Sequence, residues 1–246
     1  MQATMLKNTP KISSYLLQAK AGEDGTALAN ALRRLILTQL ESFAIEDVVF
    51  YENSSALYNE YIANRLALVP LTWEDGVADD ARISFTLSMD GPCIVYSRDL
   101  KSTDEKIVSF NGNIPLVVLG LDQRLRLEAV AVKGTGKSHA KFQCAHASYA
   151  QVASLAPAKK IEDELIVHEY PPSSQKPEDF SLAHPELCDF NLEYVKIGED
   201  IYKVNCKEDE FLFFVESYNN AAAKDHFERA VALLAGKLSE LSKELK

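Results

Sequence analysis

Apolar residues recur at helical spacing between Leu28 and Phe43 and cover more of a helix surface than one core needs. At about 100° per residue, the helix predicted over 26–43, with Thr26 as its N-cap, carries them on roughly half of its circumference. These apolar positions are Leu28, Ala29, Ala31, Leu32, Leu35, Ile36, Leu40, Phe43 and Ala44. A surface helix needs an apolar stripe only a little over 100° wide. We therefore expect this helix to contact both its own domain and a second partner.

A second helical pattern runs from about residue 221 to the end of the chain. Its apolar residues follow one another at 4, 3, 4, 3 and 4 positions, which is the spacing of a coiled-coil seam. They are Phe227, Val231, Leu234, Leu238, Leu241 and Leu245. An amphipathic helix lying on its own sheet would have the same pattern, so that interpretation stays open. Together with helix 26–43, however, this seam could form the core of a tight, obligate interface.

Alternating and β-branched residues between the two helices predict a mostly β module. The predicted strands between the helices are 45–51, 83–87, 93–96, 107–110, 125–132 and 211–215, and a further strand, 11–20, is predicted before the first helix. A short helix is predicted over 57–68, where Pro70 prevents its continuation. Prolines among Ser, Lys and Glu predict an irregular connection over 153–185.

These patterns predict an α+β fold in which both ends of the chain form one domain. We expect a discontinuous dimerisation domain from residues 1–44 and 206–246, because both apolar helices fall there. Residues 45–152 would form the inserted, mostly β domain. Residues 153–205 would form a Pro-rich insertion.

Composition narrows the classes of function. The 246 residues are 47% hydrophobic and 25% charged, which is ordinary for a soluble globular protein. No apolar run approaches the roughly 20 residues that span a bilayer, and no signal-peptide pattern begins the chain, so we expect an intracellular protein without membrane contact. The net charge of −10 opposes direct binding to nucleic acid, which needs Lys and Arg against phosphates.

The four cysteines offer no closely spaced pair. Cys93, Cys144, Cys188 and Cys206 are separated by 51, 44 and 18 positions. Zinc and iron–sulfur sites usually begin from a Cys-x-x-Cys pair, so we interpret all four as free thiols and expect no metal. A site assembled from distant Cys and His residues is the alternative.

One stretch reverses the overall negative charge. Residues 129–161 contain no Asp or Glu but carry Lys133, Lys137, Lys141, Lys159 and Lys160. This stretch, called here the basic segment, is either a solvated loop or a docking surface for an acidic partner or phosphate.

The basic segment also resembles part of a phosphate-binding loop. Lys133-Gly-Thr-Gly-Lys-Ser follows a predicted strand, but the motif requires glycine at position 131, where this chain has Ala131. No convincing helix pattern follows to cradle a phosphate. Because the match to the motif is only partial, we keep a stand-alone, P-loop-like nucleotide-binding protein as the alternative function.

Several ordered motifs resemble the α-type assembly subunits of DNA-directed RNA polymerase, and among them the archaeal form, known by the letter D. They are Asn30-Ala-Leu-Arg-Arg-Leu-Ile-Leu, Tyr51-Glu-Asn-Ser-Ser-Ala-Leu-Tyr-Asn-Glu, Asn64-Arg-Leu-Ala-Leu-Val-Pro-Leu, Val95-Tyr-Ser-Arg-Asp-Leu-Lys-Ser and Gly134-Thr-Gly-Lys-Ser-His-Ala-Lys-Phe-Gln. The resemblance covers most of 24–71, 82–149 and 211–245. It implies a dimerisation domain from both chain ends with an inserted β domain, in agreement with the apolar patterns.

The resemblance also implies a function and a set of partners. The chain is similar to a non-catalytic assembly subunit that pairs with a small α-like partner, the L subunit. That pair would then recruit the small N and P subunits and the second-largest and largest subunits, of which the largest holds the catalytic magnesium. The implied contacts with the L subunit are Leu28, Leu32, Leu35, Ile36, Leu40, Phe227, Val231, Leu234, Leu238 and Leu241. The implied contacts with a large subunit are Arg33, Arg34, Lys137, His139 and Lys141.

Two departures from the family pattern matter. Many archaeal members hold iron–sulfur clusters in a cysteine-rich, ferredoxin-like insertion, whereas the equivalent stretch here, about 153–205, offers only Cys188. We therefore expect no cluster and no other cofactor. Asn64 and Ala67 stand where the family usually has His and Gly, which bears on local packing before Pro70.

Overall fold

A computed structural model describes residues 1–158, 168–189 and 192–245. Lys159 and Lys160 of the basic segment lie outside the described residues. The described strands are β1 (Gln2–Asn8), β2 (Ile12–Gln18), β3 (Glu41–Asn53), β4 (Arg82–Asp90), β5 (Cys93–Tyr96), β6 (Lys101–Ser102), β7 (Pro115–Leu119), β8 (Arg124–Thr135), β9 (Ala145–Ala158), β10 (His168–Tyr170), β11 (Tyr194–Ile197) and β12 (Asp200–Ser217). The described α-helices are α1 (Gly25–Thr38), α2 (Asn59–Ala67), α3 (Pro177–Ala183), α4 (Glu186–Asp189) and α5 (Ala223–Glu244).

The chain divides into two compact units. The first unit contains the described residues within Met1–Arg33 and Ala147–Val215, and the second contains those within Arg34–His146 and Glu216–Lys246. The predicted dimerisation domain, 1–44 and 206–246, draws on both units. That predicted division, with 45–152 and 153–205 as separate pieces, stays a prediction.

The first unit is built on one mixed sheet. Its strand order is β1-β2-β12-β11-β10, and β9 also pairs with β12. Strand β10 is parallel to β11, whereas β1–β2 and β11–β12 are antiparallel. Helices α3 and α4 contribute Phe180 and Leu187 to a small core with Ala153, Val195 and Val204.

The second unit contains the larger core. Its main sheet has the antiparallel order β3-β8-β4-β6, and β5 pairs with β7 beside it. Along β8, alternate residues Leu125, Leu127, Ala129 and Ala131 are buried, as the period of two in a strand requires. Helix α2 covers this core with Ile62 and Leu66, which are four residues apart on one helix face.

The α+β class is confirmed, but α1 is shorter than predicted. It ends at Thr38 instead of near Phe43, because residues 41–53 pair with β8 and place Phe43 opposite Lys133. The first-turn cap is also different, since the Asp24 carboxylate accepts the Ala27 N–H over 2.9 Å where Thr26 was predicted. The apolar face attributed to one long helix is therefore divided between a helix and a strand.

Other elements were partly misplaced. The predicted strand 107–110 has only an isolated bridge between Ser109 and Leu71 in the described residues. The predicted irregular stretch 153–185 contains the end of β9, β10 and α3. The strands that were not predicted are β1, β6, β7, β9, β10 and β11.

The prediction of four free thiols is wrong for two of them. Cys188 in α4 and Cys206 in β12 form a disulfide with Cα atoms 5.8 Å apart. The packing of α4 in the small core of the first unit brings together two cysteines that are 18 positions apart in the sequence. Cys93 and Cys144 are free thiols.

Candidate functional site

From Val231 onward, helix α5 presents an apolar face to solvent. Four seam residues are exposed, Val231 by 42%, Leu238 by 54%, Leu241 by 50% and Leu245 by 79%, and Leu234 is half-buried. The first two turns of the same helix are covered instead, with Ala223, His226, Phe227 and Ala230 buried. A row of exposed leucines at seam spacing is typical of a helix that packs against a second chain.

The start of α5 is held by a buried hydrogen-bond network around His226. The ring Nε2 lies 3.1 Å from Ser217 Oγ, and Nδ1 lies 3.6 Å from Cys144 Sγ. Because the Ser217 hydroxyl donates to Ala221 O over 2.7 Å, its lone pairs can accept from Nε2–H. Nδ1 is then the acceptor for the Cys144 thiol.

Burial keeps this network neutral. Desolvation, with the nearby Arg229 charge, lowers the pKa of His226 to about 4. Desolvation also raises the pKa of Cys144 to about 11, so its thiol stays protonated at neutral pH. Although Cys and His are common catalytic partners, both side chains are buried, as is Ser217, so the arrangement stabilises the helix start and offers no access to a substrate.

The apolar residues predicted on α1 are mostly covered in this chain. Leu32, Leu35, Ile36 and Leu40 are buried, and Leu28 is half-buried. Leu40 lies beyond the end of α1. Their predicted contact with the L subunit stays a prediction, and the exposed apolar residues at seam spacing lie on α5 instead.

The five predicted large-subunit contacts fall into two groups. Lys141 is largely buried, donates to Ile45 O over 3.0 Å and pairs with Glu46, while Arg33 is held by Asn30 Oδ1 at 2.9 Å. Arg34, Lys137 and His139 are exposed. The Lys137 amide donates to Thr38 O over 3.0 Å, which brings the loop 135–139 to the last turn of α1, one turn after Arg34. This exposed group of Arg34, Lys137 and His139 is called here the basic corner.

Acids from distant parts of the chain pair with Lys133 and Lys141 of the basic segment. Lys133 Nζ lies 2.7 Å from Asp79 and 3.3 Å from Glu41, and the hydrogen bond with Asp79 raises the pKa of Lys133. The segment is therefore free of acids in sequence but not in space. Only part of it is available to a partner.

Comparisons with known proteins identify the family. A family model described as the RNA polymerase Rpb3/RpoA insert domain matches residues 48–155. The DNA-directed RNA polymerase subunit Rpo3 of Pyrococcus horikoshii is 33% identical over 268 residues, covering 98% of this chain and 96% of that protein. The chain belongs to the Rpo3 family.

Two further Rpo3 relatives match over a shorter stretch. Rpo3 of Methanocaldococcus jannaschii is 46% identical over 127 residues, covering 52% of this chain and 65% of that protein. Rpo3 of Thermococcus kodakarensis is 43% identical over 142 residues, covering 55% of each. In these two comparisons, the chain spans between about half and two thirds of the relative's length.

Membership of the Rpo3 family and the loop geometry together overturn the P-loop alternative. A Cβ at Gly136 would lie 2.0 Å from Leu37 O, so the loop packs against α1 and has no room for a phosphate there. The loop then enters a three-residue 3-10 helix, Ala140–Phe142, and not the α-helix that such a site requires. The alternative of a nucleotide-binding function was wrong.

The described residues contain neither a cluster of potential metal ligands nor a membrane-spanning helix. In that part of the Rpo3-family chain, no three His, Cys, Asp or Glu side chains are grouped to hold a metal ion. No helix among the described residues is both long and apolar enough to cross a membrane. The expectation of no cofactor stays a prediction.

Sequence reasoning missed the residues that hold the start of α5. His226, Ser217 and Cys144 come from separate segments, and a lone histidine carries no spacing signal. Trp73, whose ring centroid lies 4.8 Å from the guanidinium of Arg229 on α5, was also missed, although it is the one tryptophan of the chain and could have been singled out for that reason.

Proposed function

We propose that this chain is a non-catalytic assembly subunit of DNA-directed RNA polymerase that pairs with a small α-like partner, the L subunit, through α5. The observation that carries the proposal is the exposed apolar row Val231, Leu238, Leu241 and Leu245 on a chain of the Rpo3 family. The polymerase is a cytoplasmic nucleotidyltransferase in this account, and its active site and magnesium belong to the largest subunit.

The magnitude of the apolar burial supports a pair that uses more than α5. Fully burying one aliphatic side chain contributes about 1.5–3 kcal/mol. Each of the four half-exposed side chains is already partly covered, so each contributes only part of that amount on binding. Association itself costs about 4–15 kcal/mol. The α5 row alone would therefore give only a marginally stable complex. Half-buried Leu28 and Leu234 are the predicted additional contacts.

The pair would act as the platform for the remaining subunits. We propose that the small N and P subunits join it first, followed by the second-largest and largest subunits. The basic corner supports contact with the second-largest subunit, since the planar, permanently charged Arg34 suits a bidentate contact with a carboxylate. No contact of this chain with nucleic acid is part of the proposal.

A reconstitution tests the pairing. Full-length chain is mixed with purified L subunit, and the complex is resolved by size-exclusion chromatography with light scattering. We expect a one-to-one complex for the wild type and at least a tenfold weaker one for Leu238→Asp. The matched control is Leu121→Asp, which places the same charge at an exposed leucine outside α5. Equal binding by both variants would exclude α5 as the partner surface.

A further inference from the structure

The side chain of Trp73 lies at a junction between the segment after α2 and helix α5. The residue is only 8% exposed, and its ring centroid lies 5.5 Å from that of Phe43. The Arg229 guanidinium, on α5, stands 4.8 Å from the ring centroid, and Lys133 Nζ stands 5.6 Å from it. Both distances are within the range of a cation–π interaction.

The backbone of Trp73 is bound to the turn that precedes α5. Trp73 N–H donates to Asn220 Oδ1 over 2.5 Å, and Asn220 Nδ2 donates to Trp73 O over 2.9 Å. This reciprocal pair satisfies the donor and the acceptor of one residue with a single amide side chain. On the other side, the indole Nε1–H donates to Asp75 Oδ1 over 2.8 Å, which holds the ring in place.

Trp73 therefore contacts the α5 region at two separate points. Asn220 lies three residues before the helix, and Arg229 lies in its second turn, about 9 Å along the axis from Ala223. Because these two contacts are separated along the axis of α5, they restrict the direction of the helix as well as its position. The exposed apolar row lies beyond them, with Leu241 about 18 Å past Arg229. A tilt of about 5° at the junction would move Leu241 by about 1.5 Å at that distance.

We propose that Trp73 is a positioning residue that, through Asn220 and Arg229, sets the direction of α5 and so the placement of its partner surface. This inference rests on the proposed function, because the surface that Trp73 positions is the one assigned there to the L subunit. The segment after Pro70 would then affect pairing with the L subunit through α5, although it does not itself contact the partner. The bulk and the electron-rich face of tryptophan suit this role, because a smaller side chain would not provide the aromatic face against which the Arg229 guanidinium packs.

Asn220→Ala is the principal test variant, because it removes both hydrogen bonds with little change in volume. Asn64→Ala, an exposed asparagine of the same unit, is the matched control. Full-length variants are compared by hydrogen exchange of α5 and by titration with L subunit. We expect Asn220→Ala to speed exchange of residues 223–233 at least tenfold and to weaken pairing about tenfold. Trp73→Phe, which keeps the backbone pair, should weaken pairing only about threefold.

A double-mutant cycle separates positioning from a loss of folded protein. If Asn220 acts by placing the apolar row, the losses of affinity from Asn220→Ala and Leu238→Ala are not additive, because each removes the same contacts. Additive losses, or unchanged exchange and affinity in Asn220→Ala, would overturn the proposal. If Asn220→Ala does not fold, Trp73→Phe decides by the same cycle. If the wild type does not bind L subunit, the pairing fails, while exchange of α5 still tests the positioning.

Discussion

The imidazole Nε2 of His226 lies 3.1 Å from the hydroxyl oxygen of Ser217, and both side chains are buried at the start of α5. The charged groups that act on this ring are Arg229, which lowers its pKa, and more weakly Asp225, which raises it. Cys144 faces its other nitrogen as a neutral thiol. The helix that carries the proposed partner surface is thus anchored by a histidine that must be neutral.

The first prediction is a stability loss in mild acid. Below pH 6.5 the unfolded chain protonates His226, whereas the folded chain does so only near pH 4, so the free energy of unfolding falls as the pH drops through that window. This difference in the pKa of His226 between the unfolded and folded chain corresponds to a loss of about 3 kcal/mol in the free energy of unfolding by pH 4. Urea unfolding between pH 4 and 7.5 should show this slope, and His226→Gln should flatten it. An unchanged slope in His226→Gln, with exposed His139→Gln as control, would contradict the assignment.

The second prediction separates two lysines of the basic segment. Lys141 is largely buried and bound to Ile45 O and Glu46, so Lys141→Ala should lower the free energy of unfolding by about 1–3 kcal/mol. Exposed Lys137 is bound only through its backbone amide in the described contacts, and Lys137→Ala should stay within about 0.5 kcal/mol of the wild type. Chemical denaturation measures both. Equal stability of the two variants would place Lys141 in solvent instead.

The third prediction concerns the disulfide of the first unit. Cys188–Cys206 closes a loop of 18 positions, for which the chain-entropy account gives about 3 kcal/mol of stabilisation. Cys188→Ser should lose stability by about that amount under oxidising conditions and should no longer respond to dithiothreitol. Cys93→Ser is the control, because that thiol is free. A dithiothreitol response that persists in Cys188→Ser would refute the pairing.

The fourth prediction concerns the basic corner. Arg34→Ala should leave the pair with L subunit intact but weaken recruitment of the second-largest subunit, because Arg34 is exposed at the end of α1. Affinity capture of that subunit by the preformed pair measures the effect, with exposed Arg82→Ala as the matched control. If the Arg34→Ala variant recruits the second-largest subunit as strongly as the wild type, the basic corner is not part of the assembly surface.

Local patterns predicted the elements whose signal is local. The seam spacing of α5, the alternation along β8 and the helix before Pro70 all appear where their periodicity indicated. Phe43 was placed on a helix because its spacing fits one, whereas pairing with Lys133 across the sheet decides its conformation. Long-range strand pairing leaves little trace in a window of a few residues.

Charge and cysteine patterns failed for the same reason. Lys133 and Lys141 stand in a stretch without acids, yet Asp79 and Glu46 reach them from other strands and loops. Cys188 and Cys206 have no informative spacing, and only the fold brings helix α4 and strand β12 together. Residues that become functional through a fold are predicted poorly when their partners are distant in sequence.

Hydrogen exchange of α5 with and without L subunit shows whether the partner covers this helix. Full-length chain is labelled alone and in the presence of saturating L subunit, and peptides covering 231–241 are compared with peptides covering β8. We expect strong additional protection at 231–241 on binding and little change in β8, which is already paired on both sides by β3 and β4. Binding without added protection at 231–241 would contradict α5 as the partner surface.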